Sequence, residues 1–312
     1  MNKLITPSQA LAAAITRAAS LQTYYTIRFL VDSERVADAY RAYAYFRWVD
    51  DNLDRSGMQP SERIDFIDRQ VVLIEHCYRG NPPGDISKEE RMLADLVQGD
   101  PLRDCGLYAY LQHMLAVMTF DARRRGRLIS AVELSEYTRH LATAVTEALH
   151  YFIGHCCYSP QSEARYLAAS AAHITHMLRD TFEDNAAGYY NIPGEYLERH
   201  RLAPQDVECK PYRAWVSERV HLAREQIQAG KEYLTQVESL RCRIAGYAYL
   251  ARFEVVLEVI EREGFNLRAD YRERKRLGAW MKVCWSAVSS AFGSRRKEPI
   301  PGIPSAIKYH KR

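Results

Sequence analysis

The sequence lacks the features that mark several common protein classes. Its seven cysteines are scattered and never spaced as Cys-x-x-Cys, which argues against a disulfide framework or a zinc site and favours reduced thiols in a cytoplasm. No Gly-x-Gly occurs, so the dinucleotide-binding fingerprint is missing. No secretory signal is recognisable at the start, and charged residues interrupt every apolar run. We therefore expect a cytoplasmic chain that contacts the inner face of a membrane at most peripherally.

The chain also lacks a strong excess of charge of either sign. Lys and Arg number 43 against 39 Asp and Glu, a formal net charge of +4. No block of basic and aromatic residues resembles a nucleic-acid-binding motif, so we expect no nucleic-acid partner. The basic residues within 295–312 favour a solvated tail, and weak attraction to anionic lipid is the alternative. The oligomeric state stays open.

Helix signals, in contrast, run along the whole sequence. Strand-like alternation and hairpin dipeptides are nearly absent. Capping residues, prolines and glycines predict helices over about 6–22, 32–57, 60–78, from 87 onward, 101–125, 131–157, 161–186, from 204 onward, 211–238, 240–263 and 270–292. We therefore predict a single large all-α domain over 1–292, followed by an irregular basic tail over 293–312.

One acidic stripe follows an aromatic segment, YAYFRWVDDNLD at 43–54. Tyr43, Arg47, Asp50 and Asp54 are spaced by four, three and four residues, so they share one helix face, and Asp51 lies about 100° around the helix. Two unpaired carboxylates one turn apart repel each other, and the repulsion grows where water is excluded. A divalent cation would cancel this cost.

A second stripe repeats the pattern far along the chain. His173, His176, Asp180 and Asp184 follow at three, four and four residues, with Arg179 beside the aspartates. One such pair is common on a solvated helix face, but two pairs, each beside an Arg, favour two helices that face each other across a cavity. Hard oxygen ligands suit Mg²⁺, which also binds substrate phosphate oxygens, and a guanidinium is well shaped for phosphate.

A second metal-site hypothesis uses different residues. Glu147 and His150 form Glu-x-x-His, a ligand pattern of di-iron helix bundles, and His173 and His176 could join them. A carboxylate-bridged site needs a second Glu-x-x-His and two further Glu, and the sequence does not provide that set. We therefore favour for His150 a place in a polar patch that lines a cavity or in a buried, hydrogen-bonded pair, and a cavity-lining role for His173 and His176.

With these motifs in place, the chain resembles the squalene/phytoene synthase family over roughly residues 15–280. The matching pieces are YAYFRWVDDNLD at 43–54, LRDTFEDNAAGYYNIP at 178–193 and, more weakly, YLARFEVVLEVIEREGFNL at 249–267. The resemblance implies one all-α domain of the isoprenoid synthase type with a central cavity between the two aspartate-rich motifs. It also implies head-to-head joining of two prenyl diphosphates through a cyclopropyl intermediate.

The resemblance further implies roles for matching positions. Four carboxylates would hold two or three Mg²⁺ ions against the diphosphates: Asp50, Asp54, Asp180 and Asp184. Arg47 and Arg179 would contact phosphate or balance charge, Asp51 would support the first motif, and Tyr43 would line the cavity near the reacting carbons. The missing Gly-x-Gly weakly favours a product that needs no reduction, although members that use NADPH lack this fingerprint too.

Several positions depart from the family pattern. His173 and His176 replace the usual Gln and Asn, so at these diphosphate-side positions the softer imidazole stands where the family has a metal ligand. Arg139, with Tyr137 adjacent, lies where the family commonly has Tyr, and Phe253 replaces a frequent Tyr. Together these changes point to an altered substrate or product, or to weakened catalysis.

The leading hypothesis is therefore a Mg²⁺-dependent enzyme that condenses two farnesyl or geranylgeranyl diphosphates to a squalene- or phytoene-type hydrocarbon. One alternative keeps the ionisation but cyclises a single prenyl diphosphate, as a terpene synthase does. Another is a non-catalytic relative that acts as a binding or assembly factor, against which the four intact aspartates argue.

Overall fold

The computed structural model describes residues 6–155 and 157–271, and this part of the chain is built from helices without any strand. The all-α prediction is confirmed. The helices are α1 Pro7–Ala19, α2 Leu21–Leu30, α3 Val36–Leu53, α4 Pro60–Tyr78, α5 Lys88–Gly99, α6 Gly106–Arg124, α7 Ala131–Phe152, α8 Ala164–Ala187, α9 Gly194–His200, α10 Lys210–Gln236 and α11 Leu240–Arg262.

The N-terminal segment forms two helices where the sequence predicts one over 6–22. The predicted start is right, because Thr6 and Gln9 form a capping box at α1. The chain then breaks at Ser20, which has extended backbone angles and accepts a hydrogen bond from the backbone N–H of Thr23. Ser20 thus ends α1 and caps α2 at once, and α2 is a helix that the sequence analysis missed.

Other helix ends differ from the predicted ones for local reasons. Helix α3 begins at Val36 rather than near residue 32, because the Asp32 carboxylate accepts hydrogen bonds from the backbone N–H groups of Gly154 and His155. Helix α7 ends at Phe152, just before this contact, instead of at 157. Helix α6 begins at Gly106 rather than at 101. Long-range contacts of this kind leave no signal in the local sequence.

The segment after α8 also differs from the prediction. Residues 194–200 form the short helix α9, which the sequence analysis did not predict, whereas Pro204 lies in a series of turns and begins no helix. The predicted helix after Pro211 is present as α10, which begins one residue earlier. The predicted last helix over 270–292 and the tail 293–312 lie outside the described residues, except for 270–271, which are not helical.

Helix α8 lies at the centre of the packing. It contacts α7, α10 and α11, while α6 packs on α7 and α4, and α3 packs on α1 and α5. The aromatic face of α3 is buried in the core, where the Tyr45 hydroxyl donates a hydrogen bond to the side-chain oxygen of Gln70. The three aspartates follow at the C-terminal end of α3. The apolar and aromatic residues before them pack in the core, which explains why such a segment leads into acids.

Two glycine turns join the ends of α6 and α8. Gly188 has a φ of 86°, which an L side chain rarely adopts, and its carbonyl accepts a hydrogen bond from the backbone N–H of Gly126 at 2.8 Å. A Cβ at Gly188 would meet that same nitrogen at 3.3 Å. The contact turns the chain after α8 back toward the end of α6.

No helix among the described residues is both long and apolar enough to cross a membrane.

Candidate functional site

Both aspartate pairs line one cavity of about 250 Å³, here called the carboxylate cavity. It is bounded by α3, α6, α7, α8 and the loop after α8. The lining residues are Asp50, Leu53, Asp54, Met118, Asp121, Arg124, Tyr137, Leu141, His173, His176, Met177, Asp180, Asp184, Tyr189 and Asn191. The structure therefore brings together two motifs that the sequence separates by more than a third of the chain.

The aspartates lie where helices disfavour them. Asp50 is in the last turn of α3 and Asp54 is its C-cap residue, while Asp180 and Asp184 lie in the last two turns of α8. The C-terminal end of a helix carries a partial negative charge of about half an elementary charge, so acids there are destabilising. Two helix ends and four carboxylates thus concentrate negative charge in one cavity.

The pKa values of the Asp50 and Asp184 carboxyls are raised in this cavity. Burial raises the pKa of Asp184 to about 7, and the neighbouring Asp180 carboxylate contributes to the rise. Burial together with the charge of Asp54 raises the pKa of Asp50 to about 6. A bound cation would reverse both effects, since it favours the ionised carboxylates.

A chain of hydrogen bonds crosses the cavity wall and ends on Asp184. The Tyr137 hydroxyl donates to one Asp121 oxygen at 2.9 Å, and Arg124 Nε donates to the other at 2.7 Å. Arg124 Nη1 donates to the side-chain oxygen of Asn191 at 2.8 Å, and Asn191 Nδ2 donates to Asp184 Oδ2 at 2.7 Å. Asn191 and Arg124 are both buried. The chain fixes the orientation of the Asp184 carboxylate.

Sequence reasoning missed Asp121, Arg124, Asn191 and Tyr189 as site residues. A partial signal existed for the first two, because Asp121 and Arg124 are three residues apart and share a helix face next to apolar residues. Asn191 gave no comparable signal. It reaches Asp184 only because the two glycine turns described above bring the loop after α8 back over the cavity.

The two histidines line the carboxylate cavity, as the sequence analysis expected of them. His173 is buried, and desolvation lowers its pKa to about 3, so its imidazole is neutral near physiological pH. Its Nε2 is buried without a hydrogen-bond partner, and its ring meets that of Tyr137 edge-on at 5.0 Å. The His176 ring lies 4.8 Å from the ring of Phe253.

Four other predicted site residues are not among the side chains that line the cavity. Tyr43 is partly buried against the core. Arg47 and Asp51 are exposed on α3, where Arg47 pairs with Asp51 and lies 3.4 Å from an Asp50 oxygen. Arg179 donates to its neighbour Asp180, with Nε 2.6 Å from one oxygen. Both arginines thus hold an acid that faces the cavity or flanks it, and their phosphate-binding roles stay predictions.

Tyr137 and Leu141 of α7 face the carboxylate cavity, whereas Arg139 does not. Arg139 lies two positions further along the helix and lines a separate cavity on the other side. A helix turns by about 100° per residue, so positions two apart point in nearly opposite directions. The cavity thus has a tyrosine on α7, two positions before the residue that the sequence analysis matched to the family Tyr.

Glu147 and His150, the Glu-x-x-His pair, make hydrogen bonds to neighbouring side chains. Glu147 accepts two hydrogen bonds from Arg165, at 2.8 and 3.1 Å, and one from the Tyr166 hydroxyl. His150 Nε2 lies 3.1 Å from the Tyr233 hydroxyl. These partners occupy the groups that a di-iron site would need. His150 is partly buried and hydrogen-bonded, in line with the non-metal roles favoured from the sequence.

The donor set of the carboxylate cavity fits Mg²⁺ that is shared with a ligand. Among the described residues, no three His, Cys, Asp or Glu side chains are placed to hold a metal ion by themselves. Mg²⁺ is commonly held by one or two carboxylates together with waters and substrate phosphates. Asp50 with Asp54 and Asp180 with Asp184 provide such pairs. Burial and a neighbouring aspartate raise the pKa of Asp50 and of Asp184, and a bound cation would favour their ionised forms.

Comparison with known proteins agrees with this geometry. The family model for squalene/phytoene synthase matches residues 16–280. A 15-cis-phytoene synthase of Synechococcus elongatus is 28% identical over 129 residues, and that stretch spans 40% of each chain. Among solved structures, a dehydrosqualene synthase superposes with a TM-score of 0.68 at 16% identity over 92% of this chain and 97% of its own. The squalene synthase HpnC of Alicyclobacillus acidocaldarius has a TM-score of 0.66 at 17% identity, covering 84% of this chain and 95% of its own. The chain belongs to the squalene/phytoene synthase family, a family of prenyltransferases.

Proposed function

We propose that this protein is a Mg²⁺-dependent enzyme that condenses two prenyl diphosphates head to head, farnesyl or geranylgeranyl diphosphate, to a squalene- or phytoene-type hydrocarbon through a cyclopropyl intermediate. The observation that carries the proposal is the convergence of Asp50, Asp54, Asp180 and Asp184 on one cavity. Carboxylates in that number, at two helix C-termini, suit a site that receives a metal-complexed diphosphate. Family membership supports the reaction class.

Different residues would contact the two parts of the substrate, the diphosphate leaving group and the hydrocarbon chain. Asp50, Asp54, Asp180 and Asp184 would hold Mg²⁺, which supplies charge neutralisation for the departing diphosphate. The Arg124–Asn191 contact would keep Asp184 oriented toward that group.

The apolar and aromatic part of the cavity would face the carbocation. The Tyr137 ring can stabilise positive charge through its π-face. His173 adds no competing cation, because its low pKa keeps the imidazole neutral. Met118, Leu141 and Met177 are apolar lining residues and would face the reacting carbons, where exclusion of water protects a carbocation.

The size of the cavity favours a second candidate function. Its volume of about 250 Å³ is below the roughly 300–1,000 Å³ that is typical of small-molecule sites. Two prenyl chains need more room than this, so condensation requires that side chains such as Met118 and Met177 move. A terpene synthase that ionises and cyclises one prenyl diphosphate needs less room and is the alternative.

One assay separates the two activities. Purified protein is incubated with farnesyl or geranylgeranyl diphosphate and Mg²⁺, and the extracts are analysed by mass spectrometry. A thirty- or forty-carbon hydrocarbon supports condensation, whereas a cyclic product with the carbon number of the substrate supports the alternative. Absence of turnover together with absence of Mg²⁺-dependent diphosphate binding supports the non-catalytic assembly factor.

Matched variants test the residues. We expect Asp50→Asn and Asp180→Asn to abolish turnover while far-UV circular dichroism stays unchanged, because each removes one ligand charge from the cavity. Asp65→Asn, on the exposed surface of α4, is the control and should keep full activity. Activity that survives both cavity substitutions would show that the metal assignment is wrong.

A further inference from the structure

A second cavity lies on the opposite side of the α7–α8 pair from the carboxylate cavity. It has a volume of about 370 Å³ and is bounded by α7, α8 and α10; we call it the α10 cavity. Neighbouring residues separate the two sites, since Tyr137 and His173 face the carboxylate cavity while Thr138 and Ile174 face the α10 cavity. The two cavities therefore have no lining residue in common, and the proposed condensation does not use the second one.

The α10 cavity is lined by apolar side chains and by two positively charged arginines. Leucine, isoleucine and tryptophan side chains form much of its lining, with Trp215 of α10 buried. Two guanidinium groups, those of Arg139 and Arg219, line it as well. The acid among the lining residues is Glu163, which is exposed and precedes α8. The cavity therefore carries a net positive charge beside an apolar surface.

Arg219 is the unusual member of this set. It makes no hydrogen bond or ion pair within the described part of the chain, although desolvation lowers its pKa. The next acid in sequence, Glu218, is exposed and is not paired with it. Other partly buried cations of the same helix have partners: Arg224 binds Glu261, and Lys231 binds Glu254. Arg219 is partly buried, and the exposed Glu218 attracts it without forming an ion pair. A partly desolvated cation without an ion-pair partner is costly, so its place in the cavity needs a reason.

A second polar group in the α10 cavity lacks a partner. The side-chain oxygen of Gln226 is buried without any hydrogen bond. Gln226 lies seven residues after Arg219, two turns further along α10, so both side chains are on the face that lines the cavity. Unpaired buried polar atoms are rare in folded proteins and mark places where a ligand or a bound group completes the hydrogen bonding.

We propose that the α10 cavity binds an amphipathic anion, a molecule with one phosphate or carboxylate head group and an apolar chain. The head group lies between Arg139 and Arg219, and the chain lies against Trp215 and the aliphatic floor. The volume of 370 Å³ falls within the roughly 300–1,000 Å³ that is typical of small-molecule sites. The site is independent of the proposed condensation, because none of its residues lines the carboxylate cavity.

The test uses decyl phosphate as the probe and the fluorescence of Trp215 as the readout. The full-length protein is titrated below the micelle concentration of the probe, in EDTA so that the carboxylate cavity cannot take up a metal-complexed phosphate. Trp215→Phe should remove the fluorescence change. Arg219→Gln should raise the Kd about tenfold or more, since a charge-assisted hydrogen bond is lost. Arg213→Gln, on α10 but outside the cavity, should leave the Kd unchanged.

Stability separates a ligand-binding role of Arg219 from a structural one. Removing an unpaired, desolvated charge should leave the melting temperature of the unliganded protein unchanged or raise it, while the stabilisation by decyl phosphate disappears. Equal Kd values for the wild type, Arg219→Gln and Arg213→Gln would overturn the proposal. A fall of several degrees in the melting temperature of unliganded Arg219→Gln would overturn it as well, because Arg219 would then hold the fold.

Two further probes define the ligand. Inorganic phosphate and decanol each carry one half of the chemistry, and both should bind much more weakly than decyl phosphate; equally strong binding of either would contradict an amphipathic site. Vesicles of phosphatidylcholine with phosphatidic acid distinguish the sources of the ligand. Arg219-dependent binding to vesicles identifies a bilayer lipid, and binding of decyl phosphate alone identifies a free amphiphile.

Discussion

Replacing Asp184 by Asn should stabilise the metal-free protein while it removes the proposed catalysis. Asp184 is partly buried beside Asp180, and its pKa is raised from 3.8 to about 7. The ionised carboxylate is therefore a destabilising group in the folded state. Asn keeps the shape of the side chain and an oxygen that can accept the hydrogen bond from Asn191 Nδ2. The substitution thus removes the charge and little else.

The size and sign of the effect follow from the pKa. A rise from 3.8 to about 7 corresponds to about 4 kcal/mol between the two protonation states. Because Asp184 is partly open to solvent, screening reduces the expected gain to about 1–3 kcal/mol. The folded state holds its proton more tightly than the unfolded state, so the cost of Asp184 is absent below 3.8, grows as the pH rises, and is complete above about 7.

Urea unfolding in EDTA measures this difference. Near pH 8, Asp184→Asn should exceed the wild type in unfolding free energy, and the advantage should narrow toward pH 5, where the wild-type carboxyl is mostly protonated. Mg²⁺ should stabilise the wild type more than the variant, because the cation binds the folded carboxylates. Asp65→Asn is the surface control. A variant that is less stable than the wild type near pH 8, or an advantage equal at both pH values, would refute the reasoning from charge repulsion.

Three further substitutions test the packing and the polar contacts. Arg124→Gln should cost about 3–5 kcal/mol of unfolding free energy, since it leaves the Asp121 carboxylate in the cavity wall without its charge partner. In a double-mutant cycle, adding Asp121→Asn should recover part of that loss. Strictly additive effects of the two substitutions would contradict the pairing. Gly230→Ala should cost about 1–3 kcal/mol, measured by urea unfolding, because the new Cβ would lie 2.8 Å from the Cβ of Ala168 in α8. Glu90→Gln should cost about 2–3 kcal/mol near pH 7, because hydrogen bonds lower the pKa of Glu90 from 4.5 to about 2 despite its burial. This contribution is complete above pH 4.5 and is lost as the pH falls through about 2, so an undiminished difference at pH 2 would argue against it.

The sequence predicts the helical fold and the two acid pairs well, because both depend on local spacing. Capping boxes at Thr6, Ser87 and Ser130 mark helix starts that the structure confirms. The spacing of four between Asp50 and Asp54 places both on one side of a helix wherever that helix lies. Such features need only the geometry of a single turn.

What the sequence does not show depends on contacts between distant segments. The early end of α7 comes from the Asp32 carboxylate, more than a hundred residues away in the chain. Asn191 joins the site through a turn that is held by Gly126. Arg139, matched from the sequence to a family Tyr, lies on the opposite side of α7 from the carboxylate cavity, which Tyr137 lines instead. No local pattern resolves these points, since each requires the packed positions of at least two helices.

The carboxylate cavity lies at the C-terminal ends of two helices, and this position would determine which form of a diphosphate can enter it. In the proposed reaction, a bare diphosphate would meet two negative helix ends and, among the described lining residues, five aspartates against one guanidinium, that of Arg124, so it would be repelled. A diphosphate that already carries bound Mg²⁺ would bring the positive charge that offsets the aspartates. The proposed enzyme would therefore admit its diphosphate mainly as the magnesium complex, and the rate of entry would depend on the concentration of free Mg²⁺.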